Sequence, residues 1–333
     1  MTSRPPDRDL LAAVDPSLRP GLNWLVRRMS RRELTRRRVR SRRWLERLVE
    51  GFATRAIPVQ RVARADGSPD VRVWLVDHRS QRTSPTPAVL HLHGGGYIGS
   101  SAAFMFPTLR RLSAELDCLV VSVDYRLAPE TPFPGSLEDN VAALAWLQAN
   151  AQALGVDPAR IAVMGESAGG GHAAALAIAA RDRGALPLAM QVLIYPMLDD
   201  RTASVRPPSS PAIGAFIWTP SSNVLGWTCL LGAPAGGASV PPGSVPARVD
   251  DLRGLPPAWI GVGTLDLFHD EDVAYARRLR AAGVQTTLEV VEGAYHGFDI
   301  LVKDAAPSRA FTDSWMSALK RAFDPKLHDG DQP

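Results

Sequence analysis

The chain contains one G-x-S-x-G sequence, G-E-S-A-G at residues 165–169, which places the hydroxyl of Ser167 between small residues. An apolar run at 161–164 precedes it, and an alanine-rich helical stretch from Ala168 follows it. A strand that turns directly into a helix strains the serine backbone and lifts its hydroxyl above the sheet, at the positive end of the helix. The pattern predicts that Ser167 is a nucleophile. The alternative is an N-cap serine at a glycine-rich helix start.

A serine hydroxyl attacks only after a base has taken its proton. The chain has seven histidines, at positions 78, 91, 93, 172, 269, 296 and 328. His296 lies in the loop G-A-Y-H-G at 293–297, directly after the predicted strand 286–291. This position brings it to the sheet edge from which Ser167 emerges. His172 is five residues into the helix that follows the serine and is expected to be structural. We therefore predict that His296 is the base.

The base needs an acid that holds its tautomer and stabilises the imidazolium. In the chain order serine, acid, histidine, this acid lies between positions 167 and 296. Asp266 follows the predicted strand 259–262 by a short loop, again at the same sheet edge. Asp270 is the rival, but it immediately precedes a helix with Glu271 and Asp272 in its first turn, which suits an N-cap. We favour Asp266 over Asp270.

The sequence H-G-G-G-Y at 93–97 follows the predicted strand 88–93. Residues without side chains let several backbone N–H groups converge on one point, as stabilisation of a tetrahedral oxyanion requires. We assign this role to the N–H groups of Gly95, Gly96 and Ala168. A glycine-rich loop could instead cradle phosphate, but no Walker lysine is present.

The elements that must position these groups form a regular alternation from residue 87 onward. Apolar runs predict strands at 88–93, 119–124, 161–164, 190–195, 259–262 and 286–291, and helical spacing predicts helices at 109–115, 137–150, 168–181, 271–282 and 309–322. Near-continuous apolar strands separated by helices require a parallel sheet that is covered on both faces. Two short strands, at 57–62 and 71–77, precede the alternation as an antiparallel entry. The sequence therefore predicts an α/β fold.

Two segments depart from this alternation. Residues 1–20 are rich in Pro and Asp and are expected to be irregular, whereas 21–52 show helical spacing, clearest at Leu45, Leu48, Val49 and Phe52. The stretch 197–255 is rich in Pro, Gly and Ser, with one helix expected at 215–231, and should lie above the strand ends as a lid. We divide the chain into an N-terminal helical cap segment 1–55, a catalytic domain 56–325 that carries the insertion 197–255, and a tail 326–333.

The net charge of +4 conceals an asymmetry, because residues 1–55 hold fifteen arginines against six acids. The basic run from Arg27 to Arg43 could contact phosphate or anionic lipid, and the alternative is a solvated helical face. No groove-reading motif supports nucleic-acid recognition, so we expect no nucleic-acid partner.

Cys118 and Cys229 are the only cysteines, with no CxxC pair and no metal-ligand spacing. Two lone cysteines offer no disulfide framework, which favours a reducing compartment, and no metal is expected. The chain has neither a signal-peptide pattern nor the ~20 consecutive apolar residues that cross a bilayer. We therefore expect a cytoplasmic location without stable membrane insertion.

Taken together, these motifs resemble those of the hormone-sensitive-lipase-like family of bacterial esterases. The shared sequences are H-G-G-G at 93–96, D-Y-R-L-A-P-E at 124–130, P-F-P at 132–134, G-E-S-A-G-G at 165–170, D-L-F-H-D-E at 266–271 and H-G-F at 296–298. The resemblance covers residues 70–323. It implies the α/β-hydrolase fold, with a mostly parallel sheet, helices on both faces and a helical cap. It also implies a cofactor-free hydrolase with the first aspartate of 266–271, Asp266, in the triad.

The chain departs from the family pattern at a few positions. Glu166 stands where many members carry Asp, and Leu267 and His269 replace the usual Pro and Arg, which leaves subfamily and substrate open. The resemblance further implies that 1–52 and 197–255 together form the cap over the pocket. Aromatic candidates for substrate binding are Tyr97, Phe216, Trp218 and Trp227. Packing within the cap is an equal explanation for the last three.

The expected activity is hydrolysis of small-to-medium acyl esters through an acyl-enzyme, with a small-molecule ester as the partner. An amide or formamide hydrolase, or a deacetylase, could use the same triad. A further alternative is a non-catalytic small-ligand receptor on a hydrolase scaffold, although such receptors typically lack the triad histidine. The resemblance also implies a homodimer.

Overall fold

The structure is a computed structural model, and it describes residues 7–30, 32–53, 57–62, 67, 70–79, 85–184 and 186–324. These residues form one eight-stranded sheet. Its strands are β1 (Val59–Val62), β2 (Val71–Val76), β3 (Thr86–Leu92), β4 (Leu119–Asp124), β5 (Val156–Glu166), β6 (Met190–Ile194), β7 (Ala258–Gly263) and β8 (Thr286–Val291). The spatial order is β1-β2-β4-β3-β5-β6-β7-β8. Only the β1–β2 and β2–β4 pairs are antiparallel, which confirms the predicted mostly parallel sheet with an antiparallel entry.

Helices cover both faces of this sheet. They are α4 (Phe106–Leu116), α5 (Gly135–Ala149), α6 (Ala168–Arg183), α8 (His269–Ala281) and α10 (Ala306–Phe323). Side chains of a strand alternate between faces, and the neighbours Val89 and Leu90 of β3 accordingly belong to different buried clusters. Leu144 of α5 lies in the cluster of Leu90, and Phe311 of α10 in that of Val89. All seven residues of β3 are buried, so the prediction of a doubly covered sheet is confirmed.

The parallel direction of β3 to β8 sends the loops that follow these strands to one edge of the sheet. The glycine loop after β3, the nucleophile turn after β5 and the loops after β7 and β8 all leave at this edge. Ligands of open α/β sheets bind at the carboxyl ends of the strands. The topology therefore gathers the candidate residues at one place.

The expectation that residues 1–20 are irregular was wrong for the described part. A short helix α1 (Asp7–Ala12) is followed by a 3₁₀ turn, Arg19–Gly21. Leu10, Val14 and Leu18 are buried and join the core. The hydroxyl of Tyr295 donates a hydrogen bond to the carbonyl of Leu18 (3.0 Å), so this segment supports the loop that carries His296.

The helical prediction for 21–52 is confirmed, but the structure has two helices there, α2 (Trp24–Ser30) and α3 (Arg36–Ala53). The second helix begins after Thr35, whose hydroxyl accepts the N–H of Arg38 (3.4 Å) as an N-cap does. Among the described side chains of α3, Val39 is the buried one. The side chains of Leu45, Leu48, Val49 and Phe52, on which the prediction depended, lie outside the described residues.

The insertion 197–255 contains one α-helix, α7 (Pro220–Leu231), and a 3₁₀ turn, Pro246–Arg248. The prediction started this helix five residues too early. Pro220 suits the first helical position because its missing N–H is not needed there, and the hydroxyl of Thr219 caps the helix by accepting the N–H of Ser222 (3.4 Å). The remaining elements are α9 (Phe298–Leu301) and the 3₁₀ helix Ala102–Met105.

In the part of the chain that the structure describes, no helix has both the length and the apolar character that a membrane span requires. Cys118 and Cys229 are both buried, and neither forms a disulfide bond.

Candidate active site

Ser167 lies at the sharp turn between β5 and α6, with φ of 58° and ψ of −122°. A positive φ in a residue with a side chain costs energy and persists only where the surroundings enforce it. The backbone N–H of Ser167 donates to the carbonyl of Ile194 (2.9 Å), and its own carbonyl accepts the N–H groups of Gly171 and Met197 (both 3.0 Å). These bonds to the neighbouring strand end and to α6 hold the strained serine above the sheet.

The hydroxyl of Ser167 is paired with the imidazole of His296. The Oγ–Nε2 distance is 3.0 Å, and Nδ1 of the same ring lies 2.7 Å from Oδ2 of Asp266. All three side chains are buried, and Asp266 has no exposed surface. A base that is hydrogen-bonded to both the hydroxyl and a buried carboxylate can take the serine proton and be stabilised as the imidazolium. The structure thus brings together the three residues that the sequence assigned to a triad.

The carboxylate of Asp266 is fixed on its second oxygen as well, because Oδ1 accepts the N–H of Phe268 (3.0 Å). The rival Asp270 points elsewhere: its side chain is 80% exposed and bonds to Nδ1 of His269 (2.8 Å). Asp270 is in the first turn of α8, not at its N-cap, which Phe268 occupies. His172, expected to be structural, is buried between the rings of Tyr97 and Tyr125. Burial lowers the pKa of His172 to about 3, so its imidazole is neutral at ordinary pH.

Two aromatic rings fix the plane of the His296 imidazole. Tyr195 meets it edge-on at 4.7 Å between centroids, and Phe268 does so at 5.3 Å. The hydroxyl of Tyr195 donates to Oδ1 of Asp299 (3.0 Å), so the ring is anchored beyond the imidazole. Burial raises the pKa of Asp299 to about 6, although the hydrogen bond from Tyr195 opposes this shift.

The glycine loop after β3 borders the same cavity as Ser167 and His296. Gly95 has φ of +119° and Gly96 has φ of +63°, values that residues with side chains rarely adopt. A Cβ on Gly96 would lie 1.9 Å from Cη2 of Trp218, so the indole sits directly on this backbone. Ala168, the third predicted oxyanion donor, is the first residue of α6. N–H groups in the first turn of a helix lack partners within the helix.

The cavity above Ser167 has a volume of about 330 Å³ and a largely apolar lining. The lining residues come from the N-terminal segment, the catalytic edge and the insertion: Leu34, Val39, Arg43, Glu46, Gly94, Gly95, Gly96, Ile98, Gly99, Ser100, Phe104, Met105, Glu166, Ser167, Tyr195, Ile217, Trp218, His296, Gly297, Ile300 and Leu301. The N-terminal segment and the insertion therefore both contribute walls.

Of the four aromatic candidates for substrate binding, only Trp218 lines the cavity. The prediction for the other three needs correction because their rings are buried in packing contacts. Tyr97 donates its hydroxyl to the carbonyl of Met197 (2.8 Å) and packs on Trp227, which has no exposed surface. Phe216 packs against Tyr295.

Sequence reasoning missed several residues of the cavity wall. Tyr195 directly follows β6, but the sequence placed it inside the predicted strand 190–195, so the rule that selected Asp266 and His296, a position just past a parallel strand, did not select it. Leu34, Arg43 and Glu46 carry no such signal, because they reach the cavity from α3 and the residues just before it, far away in the chain. Among the described residues, no group of histidine, cysteine or acidic side chains is arranged to hold a metal ion.

Comparison with known proteins gives a consistent result. A family model described as alpha/beta hydrolase fold matches residues 89–300. The carboxylesterase NlhH of Mycobacterium tuberculosis is 38% identical over 250 residues, covering 71% of this chain and 74% of that protein. The arylacetamide deacetylase of Bos taurus is 31% identical over 286 residues, covering 68% and 71%. The structure of a bacterial heroin esterase superimposes with a TM-score of 0.80 at 32% identity, over 94% of this chain and 99% of that one.

Proposed function

The chain belongs to the α/β-hydrolase fold family, and from that premise we propose that Ser167, His296 and Asp266 are the catalytic triad of a serine carboxylic-ester hydrolase. The family match and the esterase relatives confirm the resemblance drawn from the motifs, and the protein is an ester-hydrolysing enzyme. The observation that carries the assignment of the triad is the pair of hydrogen bonds on His296, 3.0 Å to Ser167 and 2.7 Å to Asp266.

In the acylation step, Oγ of Ser167 attacks the ester carbonyl while Nε2 of His296 takes the hydroxyl proton. The carbonyl π electrons move to the oxygen, which the N–H groups of Gly95, Gly96 and Ala168 stabilise. When the intermediate collapses, the C–O bond to the alcohol breaks and His296 gives its proton to the departing alkoxide. The acyl group remains on Ser167, and Asp266 holds the imidazole throughout.

Deacylation repeats these steps with water as the nucleophile. His296 takes a proton from the water, the hydroxide adds to the acyl carbon, and the oxyanion again faces the same amides. The intermediate then releases Oγ of Ser167, which recovers its proton from His296, and the carboxylic acid leaves. These steps use only atoms of the ester, water and the protein, and a cofactor-free reaction remains a prediction.

Small-to-medium acyl esters fit this cavity. Its volume of about 330 Å³ lies at the small end of the ~300–1,000 Å³ typical of ligand pockets. Apolar side chains such as Met105, Ile217 and Leu301 supply surface for an acyl chain or an alcohol.

Replacing Ser167 by Ala tests this proposal. Hydrolysis of p-nitrophenyl acetate and butyrate should fall by ~10⁶-fold in kcat, the loss seen when a triad serine is removed. The circular dichroism spectrum and melting temperature should stay close to those of the wild type. Retention of more than a small part of the turnover by a folded Ser167→Ala variant would exclude Ser167 as the nucleophile.

An amide hydrolase is the second candidate, and the similarity to an arylacetamide deacetylase favours it. The same triad can attack an amide carbonyl, so the geometry around Ser167 does not separate the two. A panel that pairs aryl acetates with the matching N-acetyl arylamines would separate them by kcat/KM. A receptor on the same scaffold would not react at all, whereas an enzyme should be labelled at Ser167 by a fluorophosphonate probe.

We further propose a cytoplasmic location and a homodimer. Cys118 and Cys229 are buried and not joined in a disulfide, which supports a reducing compartment. Cell fractionation and light scattering of the purified protein would test these two predictions.

A further inference from the structure

The loop that carries the proposed oxyanion donors has an unusual backbone. Between Gly95 and Ser100, four residues have φ between +60° and +120°: Gly95, Gly96, Tyr97 (φ 65°) and Ser100 (φ 69°). Glycine tolerates such angles, but for Tyr97 and Ser100 the left-handed region is unfavourable. A strained residue keeps its conformation only when its surroundings hold it. The contacts of this loop therefore decide where the amides of Gly95 and Gly96 point.

The first half of the loop is held by the body of the fold. The hydroxyl of Tyr97 donates to the carbonyl of Met197 (2.8 Å), and the carbonyl of Tyr97 accepts the N–H of Ala128 (3.0 Å). The N–H of Ile98 closes a turn on the carbonyl of Gly95 (3.2 Å). These bonds fix Gly95 to Tyr97 from below.

The second half is held by helix α3 of the N-terminal segment. Nε of Arg43 donates to the carbonyl of Ile98 (2.7 Å), and Oε2 of Glu46 accepts the N–H of the left-handed Ser100 (3.1 Å). The guanidinium of Arg43 also donates to the carbonyl of Ala128 and to Oε2 of Glu130 (2.6 Å for the latter). Arg43 thus links the second half of the glycine loop to residues 128–130, and Ala128 of this segment also binds the carbonyl of Tyr97 in the first half.

The spacing on α3 explains why these two side chains act together. Residues three and four apart share one face of a helix, and Arg43 and Glu46 follow the buried Val39 on the face that meets the cavity. Arg37 and Arg38 lie on other faces and are exposed. Because the fork of Arg43 is occupied by three protein acceptors, it is not presented to a substrate as a free charge.

We propose that Arg43 and Glu46 are positioning residues for the oxyanion loop, so that docking of α3 aligns the amides of Gly95 and Gly96 above Ser167. The proposal rests on the assignment of the triad and the oxyanion donors made under the proposed function. In this arrangement the N-terminal segment does more than wall the cavity. It completes the site that binds the negative oxygen, a charge that exists only in the transition state and the intermediates.

Four variants of the full chain test this proposal. Arg43→Met removes all three donated bonds, and Glu46→Ala removes the acceptor for Ser100. Glu46→Gln keeps an oxygen acceptor at the same place and serves as the conservative rescue. Arg37→Met removes an equal charge from an exposed face of the same helix and is the matched control. Melting temperatures establish that each variant is folded, and Glu46→Ala keeps the test available if Arg43→Met does not fold.

Two readouts separate positioning from substrate binding. The first is kcat and KM for p-nitrophenyl butyrate. The second is the Ki of an aryl trifluoromethyl ketone. Ser167 adds to the carbonyl carbon of this inhibitor, and the carbonyl oxygen becomes an oxyanion in the oxyanion hole. A displacement of about 1 Å in a catalytic group can cost ~100-fold in rate. We therefore expect Arg43→Met and Glu46→Ala to lower kcat by ~10- to 100-fold while KM changes little. The Ki of the ketone should rise by the same factor as kcat/KM falls. Glu46→Gln and Arg37→Met should stay near wild type.

The proposal is overturned if the Arg43 and Glu46 variants raise KM at unchanged kcat, because α3 would then serve only as a binding wall. It is also overturned if Arg37→Met loses as much kcat as Arg43→Met, since the effect would be one of net charge. Failure of the triad assignment gives a different result. In that case the wild type hydrolyses the ester and Ser167→Ala does so equally well.

Discussion

The nucleophile turn and helix α3 face the same cavity, but the molecule holds them in different ways. Ser167 is buried and fixed by backbone hydrogen bonds to Ile194, Gly171 and Met197. Helix α3 has one buried residue among its described side chains, Val39, and contacts the glycine loop through two long polar side chains. The body of the fold, meaning the sheet with its covering helices and strand-end loops, thus holds its nucleophile through backbone hydrogen bonds. The N-terminal segment contacts the glycine loop through the side chains of Arg43 and Glu46.

This difference separates two kinds of effect. Substitutions in the body should act on bond making and so on kcat, because its groups touch the reacting atoms. Substitutions in the apolar cavity wall should act on the fit of the substrate and so on KM. The glycine loop lies between the two regions, with Trp218 of the insertion on one side and α3 on the other. At this loop, substitutions in the surrounding cavity wall should also change kcat.

After the loss of Ser167 itself, we expect the largest decrease in kcat from a substitution of Asp266. Asp266→Asn should lower kcat by ~10⁴-fold, because an amide cannot hold the imidazole of His296 in the tautomer that accepts the serine proton. KM for p-nitrophenyl butyrate should change far less. Steady-state kinetics on the purified variant give both values.

The matched control for this prediction is Asp270→Asn, four residues away in the chain. Its carboxylate is exposed and bonds only to the neighbouring His269 among the contacts described, so kcat should stay within a few-fold of wild type. If Asp270→Asn proves the more damaging change, the acid of the triad has been assigned to the wrong residue.

A smaller but still large effect is expected where the two regions meet. Gly96→Ala should lower kcat by ~100-fold, since the new methyl group would lie 1.9 Å from Cη2 of Trp218 and must displace either the indole or the oxyanion loop. Adding Trp218→Ala should restore part of kcat by removing the clash, although the φ of +63° at position 96 still disfavours alanine. The two single variants and the double variant form a cycle in kcat.

Gly184→Ala is the control for the free-energy cost of placing alanine at a positive φ without a clash. This glycine ends α6 with φ of +69° and has open space where a Cβ would be. We expect a lower melting temperature and an unchanged kcat. If Gly96→Ala behaves in the same way as Gly184→Ala, the indole does not constrain the glycine loop during catalysis.

The sequence predicted the body well because its signals are local. A strand, a turn of small residues and a helix follow one another around Ser167, and the direction of parallel strands brings Asp266 and His296 to the same edge. Each of these inferences needs only a few consecutive residues and one rule of sheet topology. The fold class was confirmed for the same reason.

The cavity wall could not be predicted in this way. The aromatic character of Tyr97, Phe216 and Trp227 suggested substrate contact, but bulky rings are equally suited to burial, and here packing decides. Arg43 was visible only as part of a charge run. Its role depends on the carbonyls of Ile98 and Ala128, more than 50 residues away along the chain, and no local pattern specifies such a contact.

The smallest predicted effect is one of stability within the body. Asp299 has a pKa raised to about 6 from 3.8, chiefly by burial, so the folded protein holds the proton more tightly than the unfolded chain does between these two values. The contribution of this group to the free energy of unfolding therefore falls as pH rises from about 4 to 6 and is constant above. Because Asp299 is partly exposed, we expect a loss on the order of 1 kcal/mol rather than the full linkage value.

Asp299→Asn should remove this slope, because asparagine does not titrate while its oxygen can still accept the hydroxyl of Tyr195 (3.0 Å from Oδ1 in the wild type). Relative to wild type, the variant should gain ~1 kcal/mol between pH 4 and pH 7. Urea unfolding at a series of pH values measures the difference. Asp313→Asn, at a side chain that is 69% exposed, should run parallel to wild type. The prediction is contradicted if the free energy of unfolding changes with pH in the same way for the wild type and for Asp299→Asn. The carboxylate of Asp299 would then be as well solvated as one at the surface.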